Sequence, residues 1–272
     1  MTLPTTQASF SEIAYDIQGI FALPGDTLES YQERVSKLTG YKGQDVPECL
    51  MHVYDINPSW VPVEYSDDGL RLWEAACMWY SDCPDVPPMI QLVQAFEKKQ
   101  TYLKMYHKNE VLAHEYVHAV RANLGSSAFE EIFAYYLSKS KFRAILGPLF
   151  ERPYESVLLL SSFIPLLLLM FKDLFVDSYN SNFLSNFFIP ALCLPIGLAS
   201  FFLLRLILRW SQWLRCKKHL DVLTHGKSLP LMVRLTDQEI LIFSRFTPQE
   251  IRQWVTNQLP SFRWQRLCRY IR

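Results

Sequence analysis

Residues 114–138 read HEYVHAVRANLGSSAFEEIFAYYLS, and this stretch decides how the fold is read. It opens on His114-Glu115-Tyr116-Val117-His118. Residues four apart share one face of an α-helix, so both imidazoles can meet at one metal ion. Glu115 stands one position round, at the edge of that site. There it can take a proton from a metal-activated water and pass it to a leaving amine. The spacing predicts a helix from Glu110 to Leu124, with Asn109 able to cap its start and Gly125 placed where a left-handed residue closes a helix. Ser127-Ala128-Phe129-Glu130 has the form of a capping box, so a second helix is expected from about Ala128 to Phe142. Two adjacent carboxylates, Glu130 and Glu131, begin that second helix.

A catalytic metal needs a third protein ligand and an open position. Here the helix pair resembles the gluzincin superfamily of zinc peptidases, in its peptidase-MA-like branch. That branch carries a second-helix segment of the form W-L-x-E-G-x-A-x-Y-x-S. Against it, Phe129 stands for a bulky residue before the glutamate, and Ala134, Tyr136 and Ser138 match the positions after it. His114-Glu115-Tyr116-Val117-His118-Ala119-Val120 is similar to the first-helix pattern of the same branch. The resemblance spans about thirty residues. It implies a zincin-like fold and a Zn2+ ion bound by His114, His118 and Glu131. It further implies Glu115 as general base and hydrolysis of a peptide bond in a protein or peptide substrate. Glu130 has a capping job available at Ser127, whereas Glu131 has none, and the pattern selects Glu131. Tyr135 stands where some members have an aspartate that supports a zinc histidine, and a tyrosine there could supply a hydrogen bond. Two departures stand out. Ile132 replaces the usual glycine, and only twelve residues separate His118 from Glu131. The short link and Tyr135 motivate a different reading, a catalytically inactive zincin-like membrane protein acting as a scaffold or recruiting partners.

Upstream, Asp26 and Glu29 suit a helix start before LESYQERVSKL. Residues 42–62 contain Gly43, Pro47, Pro58 and Pro62 and read as loop with short strands. Leu70–Tyr80 reads as strand or helix, and 82–88 as loop. Met89–Phe96 alternates and reads as a strand, either an edge that aligns a peptide or an ordinary sheet member. Tyr102–His107 reads as another strand. Glu110, His107 and His52 carry no more than structural readings.

Downstream, residues 156–171 carry no charge, and after Lys172 and Asp173 a second uncharged run covers 183–204. About 20 apolar residues of helix cross a bilayer core. A transmembrane hairpin is therefore expected, with spans at about 156–176 and 183–204 and a tight turn between. Pro165, Pro190 and Pro195 are tolerable in such helices. Lys139, Lys141, Arg143 and Arg152 precede the first span, and Arg205, Arg209, Arg215, Lys217 and Lys218 follow the second. The positive-inside rule then puts both termini in the cytoplasm of a two-span integral membrane protein. The N-terminus lacks the features of a signal peptide.

The 272 residues sum to zero net charge, which gives no general case for nucleic-acid binding. The sum conceals a split. Residues 1–204 hold 14 basic and 23 acidic residues, and residues 205–272 hold 13 and 4. The tail has strong helix starts at Thr236 and Thr247. Its last basic residues, 263–272, suit either anionic lipid headgroups or packing on the first domain. A metal ligand beyond the hairpin, as in the CAAX-processing membrane peptidases, would have to come from His219, His225, Glu239 or Glu250, none in that group's E-x-x-A-D setting. The six scattered cysteines form no C-x-x-C pair and read as free thiols. The expected architecture is an α+β zincin-like catalytic domain over 1–150, the transmembrane hairpin over 156–204, and a small helical, basic C-terminal region over 205–272.

Overall fold

A computed structural model describes residues 15–41, 43, 46–71, 73–80, 86–125, 128–175 and 181–271. The capping residue Ser127, most of the loop at 82–88 and the turn between the apolar runs fall outside these residues, as does Cys83. The chain is helix-rich, with two small sheets and two long apolar helical stretches.

Helix α1 (Leu28–Leu38) is capped by Thr27, whose hydroxyl accepts from the Ser30 amide while Ser30 returns the bond. Asp26, the expected cap, is engaged elsewhere: it accepts from the Leu23 amide and pairs with Arg34. Helix α2 (Glu48–Tyr54) occupies the stretch expected to be loop. Pro47 and Pro58 bracket this helix rather than break it, and Leu50 and Tyr54, one turn apart, are fully buried.

Strands β1 (Val63–Tyr65), β2 (Ala76–Trp79) and β3 (Met89–Leu92) form one sheet in the order β1-β3-β2. β3 runs parallel to β1, with Val63 opposite Ile90, and antiparallel to β2, with Ala76 opposite Leu92. So β3 is the central strand, and it ends at Leu92 because the chain turns into the short helix α3 (Ala95–Lys98). The edge beside the helices is β2. The single strand expected over 102–107 is instead a hairpin, β4 (Thr101–Tyr102) and β5 (Tyr106–His107). Leu103 and Lys104 turn it through left-handed backbone, at φ 50° and 60°.

Helix α4 (Lys108–Arg121) starts two residues before expectation, with His107 rather than Asn109 at its cap, because β5 holds the chain extended up to that point. A 3-10 turn, Ala122–Leu124, tightens its end, and Gly125 closes it at φ 64°. Leu112, Ala113, Tyr116, Val117 and Val120 bury the back of α4, which packs on the sheet. Helix α5 (Glu130–Tyr136) is shorter than predicted. It stops before Ser138, and a new helix, α6 (Lys141–Leu146), begins with Ser140 accepting from the Arg143 amide. The break lets Ser138 donate to Glu110, which also takes Arg143 at 3.1 Å.

Two stretches, Pro153–Lys172 and Phe187–Leu223, are long and apolar enough to cross a membrane. The first is interrupted. Helix α7 (Pro153–Ser161) gives way at Ser162–Phe163 to α8 (Ile164–Phe175), because Pro165 cannot continue a helix through Ser161 and sits in the first turn of a new one. The second is a single helix, α9 (Ser181–Leu223), with Pro190 and Pro195 inside it. At 1.5 Å per residue its 43 residues span about 64 Å. It therefore continues well past Leu204. Leu160, Leu167, Leu168, Phe171, Phe201 and Leu204 among others stand exposed on the two stretches, a surface that water disfavours.

Past the hairpin lie α10 (Ser228–Met232), α11 (Asp237–Phe243), α12 (Pro248–Gln258) and α13 (Phe262–Leu267). Thr236 and Thr247 make the capping boxes with Glu239 and Glu250 that their sequences forecast. This region shares one hydrophobic core with the residues before the hairpin. Several of its arginines point inward, although Arg245 and Arg252 are exposed. Arg234 is fully buried and donates to the carbonyls of Tyr54, Asp55 and Asp16. Arg263 donates to Ala22 and pairs with Glu239, and Arg266 and Arg269 both reach Asp16. Of the two readings for residues 263–272, packing on the first domain is the one these contacts describe. Arg263 and Arg266 are buried and do not face lipid.

Candidate metal centre

The back of α4 is apolar, so its other stripe, His114, Glu115 and His118, faces α5 half-buried. Two anchors hold α5 opposite. The Tyr54 hydroxyl donates to the Phe133 carbonyl at 2.6 Å, and the Phe133 ring packs edge-on against Trp213 of α9. The short link through Gly125 is what returns the chain over the histidines.

The result is a close triangle. His114 Nε2 and His118 Nε2 are 3.2 Å apart. The Glu131 carboxylate stands 3.6 Å from His114 Nε2 and 3.4 Å from His118 Nε2. These three form a group that could hold a metal ion, the only such group found among the described residues. The 3.6 Å contact is made by Glu131 Oε2 and the 3.4 Å contact by Oε1, so the two carboxylate oxygens divide between the imidazoles, and one donor atom from each residue lies within 4.8 Å of the others. Nothing in the geometry distinguishes zinc from another small divalent ion. The post-hairpin candidates lie elsewhere. Glu239 serves Arg263, Trp264 and its own cap, and His219 Nδ1 bonds the Phe243 carbonyl.

Glu130 has a partner that the sequence did not suggest. Its carboxylate lies 3.5 Å from His118 Nδ1, on the far side of the ring from the triangle. A carboxylate there fixes the ring's orientation and tautomer and raises its basicity. The periodicity of α5 contained this signal: adjacent glutamates at a helix start can straddle one imidazole. Tyr135 also reaches a histidine, but with its ring and not its hydroxyl. It packs edge-on to His114, with centroids 4.6 Å apart. Gly147 makes room for it, since a Cβ at that position would lie 2.4 Å from the Tyr135 ring.

Burial shapes the charges. It pushes the Glu115 carboxyl up to about 7, with His118 opposing and Glu131 adding to the push. Glu131 is raised as well, again chiefly by burial. At His118 burial would lower the value, but the Glu130 hydrogen bond and the charges of Glu131 and Glu115 outweigh it and carry it to about 9. His114 falls well below the usual imidazole value through burial and the neighbouring His118. Without a metal, one proton therefore resides on His118 amid three carboxylates.

Beside the triangle is a cavity of about 180 Å³. Trp73, Ala76, Val111 and Tyr135 line its walls, with Glu115 and Arg143 supplying charge. Ala76 belongs to the edge strand β2, so a free strand edge and the proposed base border one cavity. The chain matches no protein-family model, no curated protein and no solved structure.

Proposed function

We propose that the chain is a membrane-anchored zinc-dependent peptidase with a zincin-like domain of the gluzincin kind. One observation carries the reading: the His114, His118 and Glu131 donor atoms converge within 4.8 Å of one another, the three-ligand set that a catalytic zinc with an open fourth position needs. Zinc would supply Lewis acidity toward water and a peptide carbonyl. The chain's own groups would do the rest. Glu115, with its carboxyl raised to about 7, is poised to accept a proton near neutrality and return it to the leaving amine. Glu130 and Tyr135 hold the two histidine rings in place. The substrate is a protein or peptide lying across the cavity beside β2.

The exposed apolar surface of the two long stretches supports the hairpin as a bilayer anchor. The core shared by residues before and after it supports both flanks lying on one side of the membrane. With the flanking lysines and arginines, that side is the cytoplasmic one.

The test is metal content and turnover together. Purified chain should hold one zinc per molecule, and His114→Ala should abolish that binding. Glu115→Gln should keep the zinc and lose hydrolysis. Zinc retained with no turnover by the parent chain on any peptide would favour the scaffold reading.

A further inference from the structure

Helix α9 serves as a ruler from the bilayer to the metal centre. Its apolar run ends at Arg205, which grips Glu155 through two hydrogen bonds of 2.6 Å and the Leu149 carbonyl at 3.1 Å. These groups form a charged collar at the foot of the hairpin. Arg209, one turn further, lies 3.5 Å from Glu151 and stacks over the Phe129 ring at 5.4 Å. Trp213, a turn beyond that, meets Phe133 at 6.0 Å and Tyr136 at 5.2 Å. Glu131 lies between Phe129 and Phe133 on α5. At 1.5 Å per residue, the ligand carboxylate thus sits about 6–12 Å above the Arg205 level.

Ile207 and Leu208 remain exposed beyond Arg205. Phe142 and Ile145 of α6 are 71% and 56% exposed, and Tyr154 stands out at the start of α7. These side chains continue the apolar surface of the hairpin, and α6 also carries Arg143, a wall of the cavity. A headgroup layer is roughly 5–7 Å thick on each side of the hydrocarbon core. With the hairpin as bilayer anchor, the Glu131 carboxylate then lies near the outer edge of the headgroups.

We infer that the substrate is the extended juxtamembrane segment of another membrane-anchored protein, cut within a few residues of the end of its span. The inference rests on the peptidase and anchor readings above. An extended chain leaving the same bilayer passes the site within its first few residues. Each extended residue advances about 3.3–3.6 Å, so a height of 6–12 Å corresponds to about two to four residues. The bilayer itself covers Phe142 and Ile145.

Two measurements test this in vesicles of phosphatidylcholine and phosphatidylglycerol holding the full zinc-loaded chain. The first uses a co-reconstituted substrate, one transmembrane span followed by a uniform repeat of a cleavable sequence, with cut positions read by mass spectrometry. Cuts should cluster within about five residues of the span. Even scatter along the tract, or cutting of the same repeat as a free peptide but not when tethered, would overturn the inference and leave the peptidase reading intact. No cutting of either form would remove the peptidase reading, and the inference with it. The second does not depend on catalysis. A nitroxide at Ile145→Cys, with the exposed native cysteine replaced by serine, should report interfacial depth by its accessibility to oxygen against a water-soluble nickel complex. A fully aqueous label would overturn the placement of the site at the membrane surface.

Discussion

Replacing Glu130 by alanine separates a residue that supports the metal from one that binds it. The structure puts the Glu130 carboxylate 3.5 Å from His118 Nδ1, and Glu131 3.4 Å from His118 Nε2. Losing a carboxylate that orients a ligating histidine weakens metal binding by about 10–100-fold. The 3.5 Å separation is long for a hydrogen bond, so the lower end applies, about tenfold or about 1.4 kcal/mol. Linkage carries that loss into stability. At a zinc concentration well above the dissociation constant, the stabilisation by zinc should shrink by about 1.4 kcal/mol, or about 3–6 °C in Tm for a chain this size. Glu130→Gln keeps an acceptor and should lose less. Glu131→Ala removes a ligand and should weaken zinc by more than about 100-fold, beyond the range of an orienting partner. The assay is zinc titration against a competing chelator, paired with thermal unfolding with and without zinc. A Glu130→Ala chain that binds zinc within about twofold of the parent would refute the orienting role. A Glu131→Ala chain that does so would sink the whole triangle.

Three further outcomes follow from the geometry. Arg121 is fully buried, donates to the Val233 and Leu235 carbonyls and pairs with Asp237 at 3.3 Å, so Arg121→Leu strands these groups and should cost about 3–5 kcal/mol, read by chemical denaturation. Metal-free protein should lose stability as pH rises from 6.5 to 9: His118, raised to about 9, binds a proton in the folded state that the unfolded chain has released, and Glu115, raised to about 7, acts in the same direction at the lower end. Saturating zinc should flatten that slope in thermal melts, and an apo Tm that climbs across the window would contradict the charge assignment. Gly147→Ala should displace the Tyr135 ring from His114 and weaken zinc several-fold, whereas Tyr135→Phe, which keeps the ring, should bind zinc like the parent.

Much of the layout was legible in the residues. The α4 helix, the Thr236 and Thr247 caps and the two apolar stretches follow from local periodicity and capping chemistry, whereas the continuation of α9 to Leu223 was not read from the sequence. The misreadings share one cause, which is that local signals were outweighed by partners distant in sequence. Asp26 looked like a cap but is held by Arg34, and Thr27 took its place. The prolines around α2 looked like loop signals, yet Leu50 and Tyr54 are drawn into the core. The α5 helix ends early because Ser138 and Arg143 converge on Glu110, 28 and 33 residues away. The expected tolerance of proline held for Pro190 and Pro195, which lie inside α9, but not for Pro165, which begins a new helix after the break at Ser162–Phe163.

The sequence alone determined which residues could bind a metal and that the chain carries two apolar stretches, because both depend on spacing along one helix. The sequence pattern also favoured Glu131 over Glu130, but it gave Glu130 only a capping role and did not show that both glutamates, about 100° apart on α5, reach His118. Packing decided that. Phe133 and Trp213 set the rotation of α5, which turned Glu131 to the Nε2 atoms and Glu130 to Nδ1. Nor could the sequence show where the basic tail goes. Its charge suited lipid equally well, and only the buried carbonyls and Asp16, contributed by residues some two hundred positions away, drew its arginines inward.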